Sequence, residues 1–389
     1  MTTDTFWPRI NGVTVAVDTL RKNLTAMGHT VAVIAPRYPK SKGIPIDSEG
    51  IYRFASMSPL VSREDRVVLP FLMPSVRRLM ETLKPDVVHA HTEFTLGQAG
   101  KKFARLAGIP MVMTCHTLWE QYITSYIPEL PAPVSTRMVR EYSLRFYRGA
   151  DSIIVPSEAI RKLLLQYGID SPMSVIPTGV DMDAFGFESA GRDGEALQRG
   201  FPLLAGRKVL LYAGRVAHEK NLGLLLDVLV RVIAKDQHAL LVIAGDGPAR
   251  KDMEKQVSDL GLGSFVLFTG YLNRMDLSSL YSRAEAFCFA SKTETQGLVL
   301  LEAMAHGTPF VALSYGGTAD ILVDGKGGFV APEDPDAFAE KVLSILHDGE
   351  LRERLGREAR LYAEEWTSQK MAVKLADVYG ETLRRRAAL

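Results

Sequence analysis

The chain has 389 residues, 47% hydrophobic and 23% charged, with a formal net charge of +1. That balance belongs to a globular protein too long for one ordinary core, so two domains are expected. Its two cysteines exclude a disulfide framework and fit a reducing compartment; no apolar run is long enough to span a membrane, and no signal peptide is read at the start. Charge is unevenly spread, +6 over residues 1–180 and −5 over the rest, so the first half can meet an anionic surface.

The N-terminus reads Met1–Phe6, then Pro8, Asn11 and Gly12, then a helical pattern to about Met27. An α/β domain normally places a full strand before such a loop. Almost nothing precedes Thr3, so the first strand is expected to be a stub or to be missing. Asn11-Gly12 opens the helix, which suits a close approach of a phosphate to backbone and equally suits a simple turn. Strands are expected at Val31–Ala35, Ile51–Ala55, Val87–Ala90, Met111–Thr114, Ser152–Val155 and Ser174–Ile176. Helices are expected at Pro74–Leu83, Gly97–Ala107, Val134–Tyr147 and Glu158–Tyr167. This alternation predicts a parallel sheet covered on both faces.

Gly186, Gly191, Gly194, Gly200 and Gly206 punctuate Thr178–Gly206, where no period is visible, and the domain boundary is placed there. A second series follows: strands at Val209–Ala213, Ala239–Ala244, Val266–Phe268, Ala286–Ala290 and Phe310–Ala312, with a helix at Asn221–Ala234. The tail reads as helices at Asp336–His347, Leu351–Glu364 and Gln369–Arg386. The fold class is α/β: two Rossmann-like domains, 1–180 and 207–365, with parallel sheets facing a cleft, and residues 366–389 crossing back as a helix. Sites in such sheets lie at the carboxyl ends of the strands.

The chemistry concentrates there. Glu294 and Glu302 stand eight positions apart, about 12 Å at helical rise, in ETQGLVLLEAMA. The helix predicted from about Gln296 offers free N–H groups and its positive dipole end to an anion such as phosphate. Gly297 keeps the backbone approachable. Arg215 and Lys220 flank a strand-to-helix turn and can both reach one diphosphate; if the leaving group is a nucleoside diphosphate they would stabilise its growing charge, and otherwise they read as a surface pair near an acidic neighbour. His116 ends a strand of the first domain, where it can meet a sugar hydroxyl or serve the structure. His91 and Glu93 end another, as candidates for acceptor binding or proton abstraction, or equally as structural groups. Asp181-Met182-Asp183 has the spacing of a carboxylate pair, but no catalytic metal is expected, because the cations already serve the leaving group. Cys115 and Cys288 read as buried small hydrophobes.

Taken together, INGV at Ile10–Val13, GRVAHEKN at Gly214–Asn221, AGDGP at Ala244–Pro248, the spaced glutamates and EAMAHGTPFVA at Glu302–Ala312 resemble glycosyltransferase family 4 over nearly the whole chain. The resemblance implies the GT-B fold and a retaining, metal-independent transferase without a cofactor. It also implies that Glu294 contacts the donor sugar and Glu302 the ribose. Arg215 and Lys220 would hold the diphosphate, with backbone at Gly12, Gly297, Leu298 and Val299 assisting. His116 would lie beside the sugar, and backbone near Tyr271-Leu272 would meet the base. Gln296 stands where many relatives carry Gly or Phe. HTEF at His91–Phe94, CHTLWEQY at Cys115–Tyr122 and KTETQGL at Lys292–Leu298 look most like bacterial diacylglycerol glucosyltransferases. The partners implied are UDP-glucose, a lipid acceptor and an anionic membrane surface met from the cytoplasm by the basic helices; no nucleic acid is expected. A soluble family member using a GDP- or UDP-sugar on a small acceptor is the alternative. A nucleotide-sugar-binding protein without transfer activity is a third reading. A dinucleotide oxidoreductase ranks below these, because no G-x-G-x-x-G follows the first strand.

Overall fold

The structure is a computed structural model and describes residues 1–9, 11–39, 49–59, 65–116, 131–182 and 194–388. Ile10, Asp183 and the Thr117–Tyr122 part of CHTLWEQY lie outside them. The chain packs as two compact units, Met1–Thr178 with Ser368–Leu389, and Gly179–Thr367.

In the first unit, strands β1 (Val33–Pro36) and β2 (Ile51–Phe54) pair in parallel. Strands β5 (Val88–Ala90), β6 (Met111–Thr114), β7 (Ser152–Val155) and β8 (Met173–Val175) form a second parallel run in that order. A short antiparallel pair, β3 (Ser56–Met57) and β4 (Val67–Val68), lies outside both. The stub joins the two runs. Thr2 bridges Ile34 on one side and Ala90 on the other, both in parallel. The Thr2 amide donates to the His89 carbonyl at 2.8 Å and the His91 amide to the Thr2 carbonyl at 2.9 Å. Three residues at the N-terminus thus occupy the middle of the sheet, and the switch in strand order falls beside them.

Helices α1 (Gly12–Ala26), α2 (Met73–Leu83), α3 (Thr95–Ala107), α4 (Ala132–Tyr147) and α5 (Glu158–Gln166) complete this run. The final helix, Ser368–Ala387, belongs to the same unit. Its Met371, Leu375 and Val378 share one buried cluster with Leu24 of α1, Val112 of β6 and Ile154 of β7. Asp4, just past the stub, is buried. Its carboxylate accepts from the Thr92 and Thr95 hydroxyls, both at 2.6 Å, and from the Leu96 amide at 2.9 Å. Burial pushes this carboxyl up while those hydrogen bonds pull it the other way.

The second unit holds one parallel sheet in the order β11 (Val266–Gly270), β10 (Ala239–Ala244), β9 (Lys208–Ala213), β12 (Ala286–Phe289), β13 (Phe310–Ala312), β14 (Gly328–Val330). Strands β9, β10 and β12 are almost wholly buried, as expected for apolar strands covered on both faces. Around them lie α6 (Gly194–Gly200), α7 (Leu222–Ile233), α8 (Arg250–Asp259), α9 (Arg274–Arg283), α10 (Leu298–Ala305), α11 (Pro335–His347) and α12 (Gly349–Ala363). The strand order reverses between β9 and β12. Gly245 lets the end of β10 close on the end of β9: at φ 148, a Cβ there would lie 1.9 Å from the Gly214 carbonyl oxygen, a contact no side chain tolerates.

Five elements depart from expectation. The glycine-rich stretch carries α6, whose Leu197 is buried, and Leu204 beyond it is also buried, so part of the supposed linker is core. Helix α9, strand β14 and the antiparallel pair β3 and β4 were not foreseen. The sequence of α9, RMDLSSLYSR, buries serines beside Leu280 and Tyr281 and so lacks a clean apolar stripe. Replacing Asp4 with alanine strands two hydroxyls and an amide, and is expected to lower unfolding free energy by about 3 kcal/mol in urea titrations.

Candidate active site

The carboxyl ends of β9 and β12 face the reversal in strand order, where α/β sheets offer a crevice. After β9 the chain turns through Gly214 and Arg215, and the Tyr212 hydroxyl donates to the Arg215 carbonyl at 3.1 Å. A short helical turn over His218–Lys220 follows, closed by Asn221 at φ 56. After β12, the segment Ser291–Gln296 leads to Gly297, at φ 87, which precedes α10. A Cβ on Gly297 would lie 2.9 Å from the Thr318 methyl, so both the left-handed backbone and the tight contact require glycine.

These two loops meet. Lys220 Nζ donates to Glu294 Oε1 at 2.6 Å, with the side chains 11% and 21% exposed. A pair this sheltered holds the two loops in register, and removing one partner leaves a poorly solvated charge. Arg215 is half in solvent and pairs with Glu219. Asn221 donates to Glu333 at 3.4 Å, and Lys292 pairs with the same carboxylate. From the other side, the Gly317 amide donates to the Glu294 carbonyl at 2.9 Å. Packing is close there too: a Cβ on Gly317 would sit 1.9 Å from the Thr295 carbonyl oxygen. Sequence reasoning missed Glu333 and the Gly316-Gly317 seat; the Gly-Gly dipeptide before a buried threonine was the available signal.

Glu302 lies on α10, partly exposed, and its Oε2 accepts from the Tyr281 hydroxyl at 2.9 Å. Burial pushes the Glu302 carboxyl up to about 7, against the hydrogen bond from Tyr281 and the charge of Arg274. Leu298 and Val299 open α10 without a side-chain cap, leaving their amides available. Leu272 is partly buried against the core of this unit, beside an exposed Tyr271 whose hydroxyl donates to the Asp246 carbonyl at 3.1 Å. The structure therefore gathers Arg215, Lys220, Glu294, Gly297, Leu298, Val299 and Glu302 around adjacent strand ends of one sheet. Leu272 lies at the end of β11, on the β9 side of the reversal.

In the first unit, Gly12 opens α1, and Asn11 caps it by accepting from the Thr14 amide at 2.8 Å. His89 and His91 project on the same side of the strand end, rings 4.0 Å apart. His89 is pinned between the Tyr379 hydroxyl of the final helix and the Thr114 hydroxyl, each at 2.6 Å. His91 Nδ1 meets His116 Nε2 at 3.0 Å. Burial pushes all three imidazoles down, His116 to about 4, so they are neutral near pH 7. Among the described residues, His91 Nε2 has no hydrogen-bond partner. A proton there would be a buried donor without an acceptor, so it belongs on Nδ1 and is donated to His116. His116 then carries its own proton on Nδ1.

Glu93 makes structural contacts. It is buried, its carboxylate accepts from the buried Tyr147 hydroxyl, and its carbonyl accepts from Tyr142 at 2.9 Å. That arrangement ties α4 to the loop after β5.

Among the described residues no helix is long and apolar enough to cross a membrane. Residues 10–184 match the family described as Glycosyltransferase Family 4, and residues 195–362 match Glycosyl transferases group 1. The chain is 32% identical over 320 residues to an alpha-monoglucosyldiacylglycerol synthase of Streptococcus pneumoniae, covering 80% of this chain and 69% of that protein. It is 27% identical to the protein of the same name from Acholeplasma laidlawii, covering 97% and 95%. In structure it resembles Anabaena Alr3699/HepE, solved in complex with UDP-glucose, with a TM-score of 0.72 and 19% identity over 98% of this chain and 99% of that one.

Because the Glu302 carboxyl is raised from 4.5 to about 7, the native state holds that proton more tightly than the unfolded chain. Its stabilising share is full below about pH 4.5 and is lost as pH rises through 7. Glu302→Gln should therefore gain stability relative to the parent between pH 5 and pH 8, read as diverging urea midpoints. The paired family matches, the relatives above and the parallel α/β sheets place this chain in glycosyltransferase family 4, with the GT-B fold.

Proposed function

We propose that this glycosyltransferase moves glucose from UDP-glucose to the hydroxyl of diacylglycerol at a membrane surface, with retention and without a metal. The support that carries furthest is the Lys220–Glu294 pair at the reversal in strand order, seen in a chain whose relatives are named for making alpha-monoglucosyldiacylglycerol. An α-glucoside formed from an α-linked donor keeps its configuration, which is the basis for retention.

In this reading the diphosphate lies against the amides of Leu298 and Val299, and Lys220 and Arg215 take its charge. Both cations are already held by carboxylates, so the donor exchanges one anionic partner for another. Lys220 then shares the phosphate and Glu294, and Glu294 turns its remaining oxygen to the sugar hydroxyls. Glu302 takes the ribose hydroxyls. As the bond from C1 to the phosphate oxygen breaks, charge grows on the leaving phosphate, and the two cations stabilise that growth more than the ground state. The acceptor oxygen bonds to C1 and its proton passes to the leaving phosphate, so the products are the lipid glucoside and UDP. Neutral His116, oriented by His91, serves as a hydrogen-bond partner for a hydroxyl; with its proton affinity this low it is no efficient base at pH 7. Gly12 leaves the opening of α1 clear in the first unit.

The lipid part of the reading rests on α4. Val134, Met138 and Tyr142 recur every four residues and are 48%, 61% and 43% exposed, forming an apolar stripe beside the exposed Arg137 and Arg145. Such a face suits the interface of an anionic bilayer. Phe71, 74% exposed at the turn before α2, adds a further apolar anchor.

Product mass spectrometry with UDP-glucose, GDP-mannose and diacylglycerol tests the donor and acceptor together; transfer only to a soluble acceptor would favour the alternative reading. Arg215→Ala and Lys220→Ala are each expected to lower turnover by about 10²-fold; unchanged turnover would move the leaving group elsewhere. Met138→Glu is expected to weaken flotation with anionic vesicles while leaving hydrolysis of the donor by water unchanged.

A further inference from the structure

Tyr281 is fully buried on α9, far from either end of any motif in the sequence, and a buried phenol requires a hydrogen-bond partner. Its hydroxyl donates to Glu302 Oε2 at 2.9 Å. The ring cannot swing away. It packs 5.1 Å from the His306 ring on one side and 5.8 Å from Phe287 on another. His306 is itself held, with Nδ1 on the Glu302 carbonyl at 2.7 Å and Nε2 on the Ser278 hydroxyl at 2.7 Å. Burial pushes His306 down to about 4, so this ring is neutral and Nδ1 is the atom that donates to the carbonyl. Helices α9 and α10 are thus tied at both the backbone and the carboxylate of one residue.

We propose that Tyr281 is a positioning residue for nucleotide recognition: it fixes the Glu302 carboxylate by one oxygen so that the other is presented, ionised, to the ribose hydroxyls of the donor. This rests on the reading that Glu302 takes the ribose. The phenol does two things. It orients a side chain that would otherwise sample several rotamers, and it offsets part of the burial that disfavours the charged form. The groups facing Glu302 are Tyr281 and Arg274 from α9 and His306 after α10. Tyr212 of β9 acts on Tyr281, and Arg360 of α12 acts on His306.

Ribose hydroxyls donate to a carboxylate better than to a carboxylic acid, so nucleotide affinity is expected to rise with pH through neutrality. The test is calorimetric titration from pH 5.5 to 8.5 with whichever of UDP, GDP or ADP the parent binds most tightly, and with its 2′,3′-dideoxy counterpart. Tyr281→Phe keeps the ring packing. It is expected to weaken the ribonucleotide by about 3- to 10-fold at pH 7, the loss of one buried hydrogen bond. It should also move the rise to higher pH and leave the dideoxynucleotide unaffected. Equal losses for both nucleotides, with an unmoved pH profile, would make Tyr281 a packing residue and overturn the proposal. Glu302→Gln separates this from failure of the ribose reading. If Glu302→Gln abolishes the preference for the ribonucleotide and Tyr281→Phe leaves it intact, only the tyrosine proposal falls. If Glu302→Gln leaves the preference intact, the ribose reading falls first. Should Tyr281→Phe not fold, the parent grown with difluorotyrosine gives the opposite check. A more acidic phenol is a stronger donor, so the rise must move to lower pH; an unmoved rise refutes the proposal.

Discussion

The ion pair between Lys220 and Glu294 is the constraint on which the second unit's site depends. Its partners are separated by 74 positions and brought together by strand order alone. The chain builds β9, β10 and β11 outward in one direction and then places β12 on the opposite flank of β9. The loops after β9 and β12 therefore diverge to opposite faces of the sheet and leave a gap at their ends. An ammonium from one loop and a carboxylate from the other close that gap. With both side chains mostly sheltered, neither can be left alone without a desolvation cost, so the pair sets the height and register of both loops. What surrounds it reinforces this. Tyr212 holds the Arg215 carbonyl, Gly317 holds the Glu294 carbonyl, and Glu333 ties Asn221 to Lys292.

The first unit solves the same problem with much less chain. Its central strand is three residues of hydrogen-bonded stub, and Asp4 compensates by fastening the following turn to the start of α3. Its strand ends carry imidazoles in place of a salt bridge. They are kept neutral by burial and chained through Tyr379, Thr114 and each other. The final helix, which follows the second unit in sequence, supplies Tyr379 to this chain and Thr382 to the Ser152 hydroxyl at 2.8 Å, so the last stretch of sequence completes the unit that the first stretch began.

Much of this was legible in the sequence where a short-range pattern carried it. Apolar runs such as Ala239–Ala244 and Met111–Thr114 appear as strands with the same limits, because a strand covered on both faces needs no partner to reveal itself. The two glutamates were legible as a spacing, but helical rise does not measure the gap between them, because Glu294 lies on the non-helical loop before Gly297 and only Leu298 onward is helix. Long-range choices were not. Nothing local says that Lys220 faces Glu294, or that Glu93 turns inward to Tyr147, since strand order and helix packing decide both. The stub was ambiguous because its pairing comes from β1 and β5 and not from its own length. Tyr281 was invisible for a related reason: α9 mixes buried serines with charged ends, and the carboxylate that its hydroxyl meets lies on the next helix.

The two glutamates show how one side-chain type is given two characters by its surroundings. Glu294 sits opposite an ammonium, on a loop whose carbonyl is also pinned, where a carboxylate is the favoured partner. Glu302 is half-buried beside a phenol, where ionisation is disfavoured and its carboxyl is raised to about 7. Glu294 lies on the loop before α10 and Glu302 lies within that helix. In the function proposed above, the first holds sugar hydroxyls beside the two cations that take the leaving group. The second is suited to hydroxyls that must be gripped and released, because a carboxyl poised near neutrality gains its charge most readily when a ligand supplies the donors that water no longer does. The spacing between them is set by α10, and α10 is held at its start by Gly297 against Thr318 and at its end by His306 against Ser278. A change at either clamp would therefore alter the distance between the two carboxylates without touching either one.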